Sequence, residues 1–152
     1  MERTFVMVKP DGVMRGLVGE VMSRFERRGF ILVGARLEML SREKVREQYR
    51  EHLSKPFYPS LEGFITSGPC FLMVWEGRNA IETARRMIGP TNPREAAPGT
   101  IRGDLAMETG RNVIHASDSQ ESATREIRIH FSDEELAEYR GADTPFMYEW
   151  SD

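Results

Sequence analysis

A histidine between a short strand and a helix is the first residue of this sequence that could carry chemistry. His115 lies near the end of the apolar segment 112–116, and the polar segment 117–119 that follows is typical of a helix start. A helix N-terminus attracts anions because its first backbone N–H groups have no partner within the helix. His115 is therefore a candidate for binding or transferring an anionic group.

Glu126 is the candidate partner of this histidine. It lies on the apolar stripe of the helix that follows, so its carboxylate is expected to point toward the core. A buried carboxylate needs a partner, and either His115 or an arginine could serve. If the partner is His115, the carboxylate would fix the ring tautomer and leave the second ring nitrogen free as a nucleophile.

Other common catalytic and metal sites have no signature in this sequence. The phosphate-binding patterns G-x-x-x-x-G-K-[ST] and G-x-G-x-x-G are absent, as is the G-x-S-x-G turn of serine hydrolases. The histidines at 52, 115 and 130 do not form a pair at metal-ligand spacing, and Cys70 lies alone in an apolar run that predicts inert core. We therefore predict no metal site built from protein side chains.

Length and charge argue against several further classes of protein. The chain has 152 residues, which predicts one domain spanning 1–152. Its 21 basic and 24 acidic residues are mixed, with a net charge of −3, which argues against a nucleic-acid partner and a polybasic membrane anchor. The first apolar run, residues 4–8, is too short for a signal core or a membrane span, so we expect no membrane association and a cytoplasmic location.

Hydrophobic periodicity predicts an α+β fold. The strands are expected at 4–8, 30–39, 70–75 and 112–116, and the helices at 17–28, 41–53, 61–65, 80–88, 118–131 and 132–139. Residues 9–12 are interpreted as a turn, and residues 90–112 as a functional loop. Without the two helices between 41 and 65, the order is the βαββαβ pattern of ferredoxin-like folds, a four-stranded antiparallel sheet with inserted helices and a C-terminal helical extension.

Several segments together resemble one enzyme family. Residues 112–119, NVIHASDS, are similar to the active-site signature of nucleoside diphosphate kinases. Residues 4–12 (TFVMVKPDG), 67–77 (SGPCFLMVWEG), 91–93 (TNP) and 98–104 (PGTIRGD) resemble other hallmark segments of that family, in the same order. One departure is Ala116, where glycine is commoner. The resemblance covers nearly the whole chain, so it supplies an expected fold and function.

The resemblance implies transfer of the γ-phosphate of a nucleoside triphosphate, typically ATP, to a nucleoside diphosphate. His115 would become a phosphohistidine in a ping-pong scheme, and Glu126 would orient its ring. The family roles that carry over place Tyr49 beside the histidine and the following residues around the phosphates and ribose: Lys9, Arg85, Thr91, Arg102 and Asn112. Phe57 would stack on the base, with Leu61 and Thr109 nearby, which implies broad base and sugar specificity.

The resemblance also implies a cofactor and an assembly. Mg²⁺ would arrive with the nucleotide, with Asp118 at most a water-mediated neighbour. The chain is expected to form a homo-oligomer, with a hexamer favoured over a tetramer or dimer. Two other readings stay open: a noncatalytic nucleotide-binding protein and a nucleic-acid-binding regulatory protein on the same fold.

Overall fold

The computed structural model describes residues 1–149, which form a four-stranded antiparallel sheet with helices on both faces. The strands are β1 (Glu2–Val8), β2 (Ile31–Glu38), β3 (Cys70–Gly77) and β4 (Ile114–Ala116), in the spatial order β2-β3-β1-β4. The described α-helices are α1 (Pro10–Met14), α2 (Val18–Arg28), α3 (Arg42–Gln48), α4 (Tyr58–Ile65), α5 (Ala80–Ile88), α6 (Ile101–Leu105), α7 (Gln120–His130) and α8 (Thr144–Met147). The predicted α+β fold and its βαββαβ order are confirmed.

The strand register sets the position of His115. Strand β4 is only three residues long and pairs antiparallel with β1, so that His115 lies opposite Met7. This pairing holds the start of β4 beside the end of β1, where Lys9 follows Val8. Lys9 and His115 are 106 positions apart in the chain, and this pairing brings them close together at one edge of the sheet.

Each face of the sheet has its own hydrophobic cluster. Val6 and Val8 of β1 pack with α2 and α5 on one face, whereas Phe5 and Met7 pack with the inserted helices α3 and α4 on the other. Alternate side chains of a strand point to opposite faces, so a strand covered on both sides is apolar throughout. The inserted helices therefore cover the face that the four-strand pattern alone left open.

Several predicted segments have a different local structure. Residues 9–12 are not a simple turn, because Pro10 starts helix α1, where its fixed φ and missing N–H are tolerated. The segment 90–112 contains α6, which is too short to show a helical period. The expected helix at 132–139 is a single 3-10 turn, Asp133–Glu135, in which Glu135 accepts hydrogen bonds from the Ser132 N–H and hydroxyl.

The C-terminal segment packs partly on the same chain. The Tyr148 hydroxyl donates to the Gly29 carbonyl at 2.7 Å, at the end of α2, whereas Phe146 is exposed. Trp150, a further aromatic residue of this segment, lies outside the described residues. Among the helices of residues 1–149, none is long and apolar enough to cross a membrane. The assignment of 1–152 to one domain stays a prediction.

Candidate active site

His115 and Glu126 are hydrogen-bonded to each other. Strand β4 carries the histidine and helix α7 carries the carboxylate, and His115 Nε2 lies 2.5 Å from Glu126 Oε1. Helix α7 begins at Gln120 rather than at the predicted residue 118, and its N-cap is Ser119, whose hydroxyl accepts from the Ser122 N–H. The open alternative of an arginine partner for Glu126 is not what the structure contains.

The environment of Glu126 keeps its carboxylate ionised. Burial on its own raises the pKa, but the opposing charge of His115 and hydrogen bonds from His115, Gln48 and Ser117 outweigh it. The pKa of Glu126 is therefore lower than its ordinary value. Within residues 1–149, His115 Nδ1 accepts no hydrogen bond, so Glu126 holds one ring nitrogen and leaves the other free.

A strained turn leads into β4. Val113 has a φ of +72°, a region that β-branched residues rarely adopt, and the Ile114 N–H donates to the Asn112 carbonyl across it at 2.8 Å. Such a backbone costs roughly 1–3 kcal/mol and persists only where its surroundings hold it. Here Asp11 accepts from the Val113 N–H at 2.9 Å, and the Val113 carbonyl accepts from the Lys9 N–H at 2.8 Å.

Helix α1 approaches this strained turn closely at a glycine. A Cβ at Gly12 would lie 2.6 Å from Val8 Cγ1 and 3.0 Å from the Val113 carbonyl oxygen. A side chain at this position would push α1 away from β4 and separate Asp11 from the Val113 N–H. Glycine at position 12 thus permits the contacts that hold the segment before His115.

Lys9 and Asn112 form the polar link between β1 and β4. The Lys9 ammonium donates to Asn112 Oδ1 at 2.7 Å, and Asn112 Nδ2 donates to the Thr91 carbonyl at 3.0 Å. Burial, followed by the nearby charge of Arg102, lowers the pKa of Lys9 to about 8. Within residues 1–149 this ammonium has one side-chain hydrogen-bond partner, so an anionic ligand would restabilise its charge.

Arg102 is a buried cation with three backbone partners. Its guanidinium donates to the carbonyls of Gly89 at 2.9 Å, Asn112 at 3.3 Å and Ile114 at 2.5 Å, and the residue is only 3% exposed. Burial and the charge of Arg85 lower the pKa of Arg102 to about 10. Arg102 therefore joins the 90–112 segment to β4, and it places a positive charge beneath the site.

Arg85 and two aromatic residues complete the surroundings of the histidine. Arg85 reaches from α5 and donates to the Ala116 carbonyl at 3.2 Å. The Tyr49 ring meets the His115 ring edge-on, with centroids 5.6 Å apart, and its buried hydroxyl has no partner within residues 1–149. Phe57 is 51% exposed, its ring contacts the ring of His52, which contacts that of Tyr49, and the Lys55 ammonium lies 5.7 Å from the Phe57 ring centroid.

Comparison with known proteins assigns this arrangement to a family. The family model described as nucleoside diphosphate kinase matches residues 2–136. The chain belongs to the nucleoside diphosphate kinase family. It is 64% identical to the nucleoside diphosphate kinase of Methanoculleus marisnigri over 149 residues, which are 98% of this chain and 100% of the relative. It is 63% identical to that of Methanoregula boonei over 150 residues, 99% of this chain and 100% of the relative.

Solved structures of the family share the fold. The structure of the Halobacterium salinarum nucleoside diphosphate kinase in complex with CDP has a TM-score of 0.95 and 47% identity, and the match covers 97% of this chain and 99% of that chain. The family protein from Babesia bovis has a TM-score of 0.94 and 45% identity, with 97% and 100% covered. The predicted family and fold are therefore confirmed by sequence and by structure.

The structure places most of the predicted site residues of this family member in two groups of contacting side chains, which adjoin at strand β4. Hydrogen bonds or ring contacts link His115 with Glu126 and Tyr49, and they link a second group that consists of Lys9, Thr91, Arg102 and Asn112. Phe57 is connected to the histidine only through the rings of His52 and Tyr49. Thr109 is exposed, and Leu61 packs against the core cluster beside α4.

Sequence reasoning missed three residues of this kinase-family site. Gln48 contacts Glu126, Asp11 holds the strained turn, and Ser117 is a further hydrogen-bond partner of Glu126. Gln48 ends a polar helix and gave no signal that its amide is buried. Asp11 was interpreted as turn chemistry, and its side chain does bond a backbone N–H, although 102 residues away.

Ala116, which stands where glycine is commoner in the family, does not strain the backbone. Among the described residues other than glycine, positive φ values occur only at Asn79 and Val113, so position 116 does not require glycine. Ala116 is fully buried in β4, where its carbonyl accepts from Arg85. The extra methyl group is therefore accommodated at this position of the kinase fold.

Proposed function

We propose that this chain transfers the γ-phosphate of a nucleoside triphosphate to a nucleoside diphosphate through a phosphohistidine on His115. The observation that carries the proposal is the His115–Glu126 pair, in which Nε2 is held and Nδ1 is free, together with the partly buried cation Lys9 and the buried cation Arg102. The membership of the nucleoside diphosphate kinase family supports it.

The geometry supports the following first half-reaction. The Nδ1 lone pair of His115 attacks the γ-phosphorus, the Nδ1–P bond forms, and the bond from phosphorus to the bridging oxygen breaks, so that the nucleoside diphosphate leaves with that electron pair. The ring gains positive charge, which the ionised Glu126 stabilises at Nε2. A second nucleoside diphosphate then reverses these steps through its own terminal phosphate oxygen.

Fixed cations and donors would stabilise the charge that spreads over the transferred group. Lys9, Arg85 and Arg102 are proposed for the phosphates, and Thr91 and Asn112 for the phosphates and ribose. Mg²⁺ bound to the nucleotide would neutralise part of the phosphate charge when present. No group of three or more His, Cys, Asp or Glu side chains in residues 1–149 could hold a metal ion, which supports a cation held by phosphate oxygens and water, with Asp118 at most a water-mediated neighbour.

The base would be bound mainly by stacking. Phe57 is proposed as the stacking residue because its exposed ring is joined to the histidine through His52 and Tyr49. Stacking tolerates any base because every base presents a π face. The proposal therefore includes broad base and sugar specificity, and the CDP complex of the Halobacterium salinarum relative is consistent with a pyrimidine substrate.

A pulse and chase with labelled nucleotide tests this function. The protein is incubated with Mg·ATP labelled on the γ-phosphate, freed of nucleotide, and then chased with unlabelled GDP or CDP. The expected result is an acid-labile, protein-bound label that leaves completely as labelled GTP or CTP. A protein that binds ATP without taking up label would instead be a noncatalytic nucleotide-binding protein, and the proposed role of His115 would be wrong.

We also propose that the chain forms a homo-oligomer in the cytoplasm. Strand β2 is an edge strand, and the apolar side chains Leu37 and Met39 at its end are 58% and 60% exposed, which supports contact with another copy. The resemblance favours a hexamer over a tetramer or dimer. Multi-angle light scattering that gives only the 17.4 kDa monomer at working concentration would contradict this proposal. Water-soluble nucleotide substrates and one buried free cysteine support the location.

Nucleotide capture should weaken as pH rises through the pKa of Lys9. The free enzyme holds this ammonium with a pKa of about 8, so the cation that would face the phosphates is present below pH 8 and is lost above it. A bound phosphate stabilises the cation and raises that pKa. We expect kcat/KM for the nucleoside triphosphate, which in a ping-pong scheme reports the free enzyme, to fall with a slope approaching −1 above about pH 8.

The matched variant for this pH profile is Lys9→Arg. Arginine stays charged throughout the accessible range, so the alkaline fall should disappear even if the maximal rate is lower. The measurement is kcat/KM between pH 6.5 and 9.5 at constant ionic strength. An unchanged fall in Lys9→Arg would assign the titration to another group.

A further inference from the structure

Behind the His115–Glu126 pair lies a buried chain of hydrogen bonds that the proposed reaction does not use directly. The Gln48 side-chain amide nitrogen lies 2.5 Å from Glu126 Oε1, and the Gln48 side-chain oxygen lies 2.8 Å from His130 Nε2. All three of Gln48, Glu126 and His130 are at most 3% exposed. The chain runs from α7 at His130, through α3 at Gln48, and back to α7 at Glu126.

The partners determine the orientation of the Gln48 amide. Were its oxygen directed at Glu126, two acceptors would face each other in a buried site, so the NH₂ group must point to the carboxylate. The amide oxygen then faces His130 Nε2, which must carry the proton and donate it. Burial lowers the pKa of His130 to about 4, so the ring stays neutral, and its buried Nδ1 has no partner among the described residues.

This orientation has a consequence at the reacting histidine. Glu126 Oε1 accepts two hydrogen bonds, from Gln48 and from His115, and the Gln48 and His115 donor nitrogens lie 3.1 Å apart as they converge on that oxygen. Together with Ser117, the Gln48 donor helps to keep the carboxylate ionised, and from α3 it opposes rotation of the carboxylate away from His115. The proton between His115 and Glu126 is then held at Nε2, so the lone pair stays at Nδ1.

We propose that Gln48, locked by His130, is a positioning residue that holds Glu126 in place and thereby fixes His115 in the Nε2–H tautomer with Nδ1 as the nucleophile. This inference rests on the phosphohistidine function proposed above. Gln48 acts through Glu126 and is only 2% exposed, so its loss should lower the rate of phosphorylation and leave nucleotide binding intact.

The variant Gln48→Met tests the proposal because methionine has a similar length and no N–H donor. We expect the single-turnover rate of phosphorylation by Mg·ATP to fall by about 10- to 100-fold, as the loss of an outer hydrogen-bond partner of a functional histidine typically does. The Kd for ADP should change by less than about threefold. Gln120→Met is the matched control, since it makes the same chemical change at the exposed start of α7 and should leave both quantities unchanged.

A spectroscopic measurement separates positioning from a merely structural role. The chain has three histidines, so the ring nitrogens of a sample labelled with ¹⁵N-histidine are few enough to assign. The wild-type protein should show His115 as a single Nε2–H tautomer, and Gln48→Met should show a mixture. A folded variant with the wild-type tautomer and the wild-type phosphorylation rate would overturn the proposal, whereas a wild-type protein that takes up no phosphate would overturn the proposed function instead.

A second variant decides the matter if Gln48→Met does not fold. His130→Phe keeps the aromatic stacking on Phe5, whose ring centroid lies 4.8 Å from that of His130, and removes only the donor to the Gln48 oxygen. The freed amide can then reorient, so a roughly 3- to 10-fold slower phosphorylation is expected, with part of His115 in the other tautomer. If neither the phosphorylation rate nor the tautomer of His115 changes, His130 is not needed to hold the Gln48 amide in its orientation.

Discussion

Replacement of His115 by alanine is expected to reduce phosphate transfer by at least about 10⁵-fold, because no other side chain can take over a missing nucleophile. The label from γ-labelled ATP should be absent from the protein. Nucleotide binding should persist, since the proposed phosphate contacts of Lys9, Arg85 and Arg102 do not involve the His115 ring. The measurements are protein-bound label and the Kd for ADP.

A second substitution at the same position separates chemistry from folding. His115→Ala leaves the buried Glu126 with one donor fewer, so some loss of stability accompanies the loss of activity. His115→Gln keeps an N–H at a similar distance from Glu126 but has no nucleophilic nitrogen. Both variants should be inactive and His115→Gln the more stable of the two. Label on either variant would assign the phosphate carrier to another residue.

Replacement of Arg102 by methionine should cause the largest loss of stability. The variant removes the donors to the three carbonyls of Gly89, Asn112 and Ile114 in a site with almost no access to water. The Asn112 carbonyl keeps its hydrogen bond from the Ile114 N–H, whereas the Gly89 and Ile114 carbonyls lose their Arg102 donors. Each buried carbonyl left without a partner costs about 1–3 kcal/mol, so we expect a decrease of about 2–6 kcal/mol in the free energy of unfolding. Phosphate transfer should also be lost, because the strained segment before His115 is no longer tied to residues 89–102.

The control for Arg102→Met is the same change at an exposed arginine. Arg86 is on α5, its side chain is 80% exposed, and its ion pair with Glu82 is one helical turn away on the surface. Arg86→Met should change the free energy of unfolding by no more than about 0.5 kcal/mol. Urea denaturation of both variants at one protein concentration makes the comparison, and a loss below 1 kcal/mol for Arg102→Met would contradict the structural role.

Periodic segments with clear stop signals were predicted accurately from sequence. Helix α5 begins and ends as predicted, at Ala80 and Ile88, and Gly29 ends α2 with a φ of +104°, as a left-handed glycine cap should. These elements depend on neighbours three or four positions away, which the sequence displays directly. Helices α1 and α6, each of five residues, were missed because so short a segment contains too few positions to show a period.

The sequence predicted some features of the candidate site and not others, depending on whether they involve residues close together or far apart in the chain. The sequence by itself determined the fold class, the position of His115 between β4 and α7, the inward direction of Glu126 and, through the resemblance of whole segments, the family. It left open whether Glu126 pairs with histidine or arginine, because each possible partner lies on a different element. Only the tertiary structure decided that choice, and only it revealed the Gln48–His130 chain and the three carbonyls bound by Arg102. Those contacts join atoms that are distant in the chain, so their geometry depends on how the sheet and helices pack.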